Sequence, residues 1–213
     1  MARTKTRRSR IRKIAALATA STAAAAVLSV PGVAQAAPFL NVSYPFTGTS
    51  HIAGPDDDLA LGPGTLSARL DLATGEATAS VNLPPASGSF ELIGFLPVST
   101  TVTFTEVGQS TAFVDPRGGA TEAKAKMNIK LSNVKIAGIP ALVGNNCQTE
   151  TPVDLTLNSG PDWGVLTGGT FTGTYTIPKF ENCLLSTWLI NLVIPGANNT
   201  ITLNLSTPTV TPG

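Results

Sequence analysis

The sequence predicts an all-β fold: an antiparallel β-sandwich, or a barrel-like closure, of about nine or ten strands with one short C-terminal helix and one disulfide. Three observations carry this. Several segments alternate strictly between apolar and polar residues, as strands with one wet and one buried face do. Gly, Pro, Asn and Asp punctuate those segments at regular intervals. The chain has only two cysteines, Cys147 and Cys183, and it opens with an export signal.

The signal is the first element to justify. Arg3, Lys5, Arg7, Arg8, Arg10, Arg12 and Lys13 form a basic region, Ile14 to Val30 an alanine-rich apolar run, and Ala34-Gln35-Ala36 a small-x-small cleavage pattern. Residues 1–36 are therefore expected to leave as a signal peptide, cleaved near Ala36. Arg7-Arg8 is the pair of a twin-arginine route, but Arg10 stands where that signal prefers an apolar side chain. Seven of the 14 basic residues go with the segment and all 13 acidic ones stay, so the mature chain carries a net charge of −6 instead of +1. That balance excludes a nucleic-acid partner, because no basic footprint is left to offset phosphate. No later apolar run is long enough for a transmembrane helix in the mature chain. The protein reaches a membrane, if at all, as a barrel or by its surface.

Residues 37–206 form the expected single domain. Phe39–Tyr44 and Thr49–Ala53 read as modest strands broken by Pro45 and Gly48, with turns at Gly54–Asp58 and Gly62–Gly64. Thr65–Leu72 and Ala77–Leu83 give the clearest hairpin: Leu66, Ala68, Leu70 and Leu72 alternate with polar residues, as do Ala77, Ala79, Val81 and Leu83. Ser89–Leu96, Val98–Val107 and Ser110–Val114 follow. Ala123, Ala125, Met127, Ile129 and Leu131 alternate with Glu122, Lys124, Lys126, Asn128 and Lys130, which rejects a helix despite the alanine and lysine content. A bulge is expected after Asn133, where the apolar phase shifts.

Further strands are expected at Val153–Leu157, Thr170–Ile177 and Ile201–Leu205. Leu184–Ile194 gathers Leu184, Leu185, Trp188, Leu189, Leu192 and Val193 at helical spacing before Pro195-Gly196, although a fully buried strand reads similarly. Residues 207–213 read as a flexible Pro/Thr-rich tail. In an exported chain the two cysteines are expected as one bridge, Cys147–Cys183, worth about 4 kcal/mol at most by chain entropy. It should tie the chain before Val153–Leu157 to the start of the helix.

Four segments carry a resemblance: LGPGTLSARLDLATGEATASVNLPP (Leu61–Pro85), MNIKLSNVKIAGIP (Met127–Pro140), GGTFTGTYTIPKFENC (Gly168–Cys183) and IPGANNTITLNL (Ile194–Leu205). Together they resemble a group, mostly uncharacterised, of small secreted all-β proteins of actinobacteria. The resemblance implies export, one β domain and a cell-envelope or extracellular setting. It brings no site residues.

Chemistry is sparse. There is no G-x-S-x-G elbow for a serine nucleophile, and His51, the single histidine, reads as part of a polar surface row. Glu91, Glu106, Asp154 and Glu181 are available for paired-carboxylate work, but sequence does not show whether any two of them converge. Asp56-Asp57-Asp58 reads as an acidic turn rather than a calcium loop. Lys124, Lys126 and Lys130 read as a solvated strand face, and Thr170, Thr172, Thr174 and Thr176 as threonine's ordinary strand preference. Trp188 is placed in the core. Trp163, in the loop Gly160–Gly164, is the ligand-contact candidate, weighed against a loop residue folded onto the core.

No cofactor, metal or catalytic residue is assigned. The reading is a secreted, non-enzymatic structural or binding module of the cell envelope or extracellular space, with an envelope component or another protein as partner. The alternatives are an envelope-associated barrel or pore, and a lipid or glycan hydrolase with a non-standard site.

Overall fold

A computed structural model describes residues 38–92, 95–117 and 119–212. The signal segment expected over residues 1–36, with its cleavage near Ala36, lies outside the described residues.

The strands run in chain order as β1 (Phe39–Ile52), β2 (Asp57–Asp71), β3 (Glu76–Asn82), β4 (Ala86–Leu92), β5 (Leu96–Glu106), β6 (Ser110–Val114), β7 (Thr121–Ile136), β8 (Ile139–Pro140), β9 (Gln148–Thr149), β10 (Val153–Ser159), β11 (Gly169–Ile177), β12 (Phe180–Glu181), β13 (Gly196–Leu205) and β14 (Thr209–Pro212). A 3-10 turn at Leu184–Ser186 leads into helix α1 (Thr187–Val193).

Eight strands close a ring of antiparallel pairs in the order β1, β2, β3, β6, β7, β10, β11, β13 and back to β1. Closure comes from β10 pairing with the N-terminal half of β7, from Val153 opposite Met127 to Asn158 opposite Glu122. The fold is therefore a barrel, and of the two architectures read from the sequence the sandwich is not the one formed. Both need the same period-two strands, so alternation alone does not separate them. Six more strands lie outside the ring among the described residues.

Two expected breaks turn out to be bends inside long strands. Pro45 and Gly48 were read as ending a strand, but β1 runs through both. Residues Leu40–Ser43 pair with β14 and Phe46–His51 with β13, so Pro45, which has no N–H to give, sits where the neighbour changes. Gly62–Gly64 was read as a turn, yet β2 passes through it opposite the bulge at Phe46–Gly48. A Cβ on Gly64 would meet the Phe46 ring at 2.6 Å, so glycine lets the ring lie flat on the strand. The bulge expected after Asn133 is present: Asn133 has φ +51° and the β5–β7 register shifts between Ser99 and Thr101.

The C-terminal half of β7 leaves the ring and pairs with β5, which carries β4 on its far edge. This extension, with β9, β12 and α1, covers one end of the barrel. The bridge Cys147–Cys183, with an S–S distance of 2.02 Å, joins the approach to β9 with the 3-10 turn, and both cysteines are fully buried. The 207–213 segment, expected loose, carries β14 along β1.

An apolar lumen as the candidate functional site

The ring's inward positions split into two walls. On one side β1, β11 and β13 bring Tyr44, Phe46, Phe171, Tyr175, Leu203 and Leu205. On the other, β2, β3, β6 and β7 bring Ala68, Ala77, Ala79, Ala112, Ala123 and Ala125. The alanines stand in register: Ala68 opposite Ala79, Ala77 opposite Ala112, and Ala112 opposite Ala123. A run of methyl groups facing a run of rings leaves space between them. The result is a cavity of about 150 Å³ inside the barrel, lined almost wholly by carbon. Leu66, Ala68, Val81, Ala123, Ala125 and Leu155 point inward yet remain half-buried, because their surface faces this space.

The few polar atoms in the lining are spent on the protein itself. Tyr44 donates its hydroxyl to the Val165 carbonyl at 2.7 Å. The Ser50 and Tyr175 hydroxyls share a buried hydrogen bond of 2.6 Å. Among the described residues no buried side-chain nitrogen or oxygen lacks a partner. Burial pushes the Tyr44 phenol up to about 12. Burial also raises Tyr175, against the opposing effect of the Ser50 hydrogen bond. Both tyrosines thus face the lumen as neutral groups with occupied hydroxyls, and the space has no free group for an ionic or strongly polar ligand.

The end of the barrel away from α1 is closed by the loop between β10 and β11, which carries Trp163. Its indole lies between Tyr44, at 5.5 Å between ring centroids, and Phe171, edge-on at 4.6 Å. Its Nε1–H donates to Thr121 Oγ1 at 2.8 Å. The Asp162 carboxylate holds the loop by accepting from the backbone N–H and hydroxyl of Thr170, both at 2.9 Å. Gly169, with φ +141°, allows the close approach: a Cβ there would meet Trp163 Cα at 2.6 Å. Trp163 is folded onto the core, and the face it shows to the interior lines the lumen.

One side wall has a seam. β6 begins only at Ser110, so on its β6 side β3 has no paired strand beyond Ala79. The Glu106 carboxylate fills in, accepting from the Val81 N–H at 3.2 Å, the Ser110 N–H at 3.1 Å and the Ser110 hydroxyl. Glu106 is thus a bridge across the wall. The other carboxylates considered for catalysis are elsewhere: Glu91 on β4, Asp154 paired with Lys126 on the outer wall at 3.0 Å, and Glu181 on β12. His51 lies 2.9 Å from Asp58 and 3.5 Å from Asp56 at the exposed end of the β1–β2 hairpin. Trp188, expected in the core, is 69% exposed. Apolar residues take up most of its circumference, leaving only the Thr187 and Asn191 edge polar, so periodicity could not tell which part of the apolar arc faces inward.

Sequence reasoning found every lumen alanine except Ala112 as part of an apolar face. It missed that those faces adjoin. The signal was there, in strands whose inward positions are repeatedly the smallest apolar residue. The outer wall is the reverse, with Ser67, Arg69, Thr78, Ser80, Lys124, Lys126, Thr172 and Thr174 exposed. Comparison of the chain with known protein families, with curated proteins and with solved structures returns no match.

Proposed function

We propose that this protein is an exported, water-facing β-barrel that holds a small apolar molecule in its lumen, a binding module rather than an enzyme. The observation that carries the reading is the carbon-lined cavity between the alanine wall and the aromatic wall. An apolar molecule placed there removes apolar surface from water on both partners, at roughly 25 cal/mol per Å². Trp163 is the proposed contact at the loop end, its indole fixed by Thr121 and two flanking rings. The setting stays as read from the sequence: secreted or attached to the cell envelope, with the bridge suited to an oxidising compartment.

The pore alternative has the barrel in its favour, but a lipid-facing barrel is apolar outside and polar inside. Here the faces are the other way round.

Titration of the mature chain with N-phenyl-1-naphthylamine, an uncharged apolar dye, tests the reading. Saturable binding with enhanced dye emission is expected. Ala79→Leu, which fills the lumen, should abolish that binding while leaving thermal stability unchanged or higher. Equal dye binding by wild type and Ala79→Leu, or no saturable binding at all, would sink the proposal.

A further inference from the structure

The seam beside Glu106 is longer than the gap beside β3 alone. β3 and β6 pair as far as Ala79 opposite Ser110, and β4 and β5 pair from Ala86 opposite Val102. β3 leads into β4 and β5 into β6, so the same two stretches of chain lie side by side at both places. Between them, residues 80–85 and 103–109 run past each other, and among the described residues no backbone hydrogen bond joins the two stretches. The sequence keeps this window unzipped. Pro84 and Pro85 have no N–H to give a ladder, and Gly108 turns the chain out of line at φ +76°.

The side chains show what lies behind the window. Val81, Leu83 and Phe104, the inward residues of the two stretches, line the lumen and remain half-buried. Ser80, Asn82, Thr105 and Gln109 are exposed on the outside. The wall here is closed by side chains, where elsewhere it is closed by hydrogen-bonded backbone. One group spans it: the Glu106 carboxylate, with the Val81 N–H on one side and the Ser110 N–H and hydroxyl on the other. A side chain lets go by rotating its own torsions, whereas a strand pair parts only by breaking several backbone hydrogen bonds together. The ring has another sparse contact, β10 with β11, paired at Asn158–Thr172 and Ser159–Phe171. There the backbones themselves close the wall, since a Cβ on Gly173 would collide with the Thr156 carbonyl oxygen. The two ends are occupied as well, one by Trp163 and its flanking rings, the other by the extension with α1.

We infer that this window is the entrance to the lumen and that Glu106 is its latch. With the carboxylate swung away, the Val107–Gln109 loop parts from the end of β3, and an apolar molecule passes between Val81, Leu83 and Phe104. With the carboxylate back, the wall is whole. The loop has room to move, because a Cβ on Gly108 would meet nothing within 4 Å. The inference rests on the lumen reading and adds the route by which the ligand reaches its place.

Stopped-flow mixing of residues 37–213 with N-phenyl-1-naphthylamine tests it, because a gate sets rates and a ligand contact sets affinity. Glu106→Ala should speed dye association and dissociation together, each by about tenfold, since the hydrogen bonds lost hold only the closed wall. Ser80→Cys with Gln109→Cys makes the converse variant. These positions come next in register after Ala79 and Ser110, so oxidation puts a disulfide across the window. The oxidised form should take up dye at least about tenfold more slowly than the reduced form. A mild reductant opens that exposed bond and leaves the fully buried Cys147–Cys183 bridge closed. The staple tests the entrance by itself if Glu106→Ala does not fold. An oxidised form that fills as fast as the reduced one would overturn the entrance, leave the lumen reading standing and send the ligand past the Trp163 loop. Dissociation that speeds alone in Glu106→Ala would overturn the latch and make Glu106 a ligand contact. No saturable dye binding in wild type would remove the lumen reading and the entrance with it.

Discussion

Ala77 and Ala79 on β3 face Phe171 and Tyr175 on β11 across the barrel, and Ala123 and Ala125 on β7 face Tyr44 and Phe46 on β1. Each alanine leaves a shortfall that no neighbouring ring makes up, and the shortfalls add to one space because the alanines are in register on adjacent strands. Packed interiors rarely leave voids of this size, since each costs contacts on all its walls. The same walls set the ionisation of Tyr44. Its pKa, raised by burial from 10.0 to about 12, lies above that of the unfolded chain. The folded protein therefore holds the proton more tightly, and stability is full below about pH 10 and falls as pH rises toward about 12. Unfolding midpoints measured across that window should fall for wild type. Tyr44→Phe should flatten part of the fall, while losing about 1 kcal/mol for the hydrogen bond to Val165. A pH profile identical in both proteins would show that Tyr44 is not the group responsible.

Among the elements, the strands with strict alternation were legible and those with special residues were not. The Thr65–Leu72 and Ala77–Leu83 hairpin, the β7 alternation and the inward set Phe171, Tyr175 and Ile177 are where the sequence put them. β1 and β2 were read short, because Pro45 and the Gly62–Gly64 run mark a change of neighbour and a bulge rather than ends. β14 was read as a tail, since its own residues carry no pattern and only its partner β1 defines it. The helix was found, but not its orientation. The bridge was also found, and it clamps β9 and β12 to the start of the 3-10 turn. Changing Cys147 or Cys183 to Ser should lower stability by about 2–5 kcal/mol in denaturant unfolding, with dye binding retained where the chain still folds. Wild-type stability in either variant would mean that the β9–β12 pairing and α1 hold this end alone.

At the scale of the whole molecule, closure was open in the sequence because a sandwich and a barrel demand the same local pattern. The pairing of β10 with β7 decides it, and that contact is non-local, between segments whose facing residues carry no pairing code. The candidate site was legible only in parts. Trp163 was named, but its partners Tyr44, Thr121 and Phe171 come from three distant strands, and a lumen exists only once the ring is closed. The central claim is that this lumen is a dry, apolar, accessible space. A crystal of residues 37–213 held under xenon tests it most directly, since xenon enters apolar cavities and is readily located. Xenon is expected between Ala79, Ala125 and Trp163, and none at that place in Ala79→Leu. A lumen filled with ordered water, or closed by side chains with no xenon in it, would contradict the account.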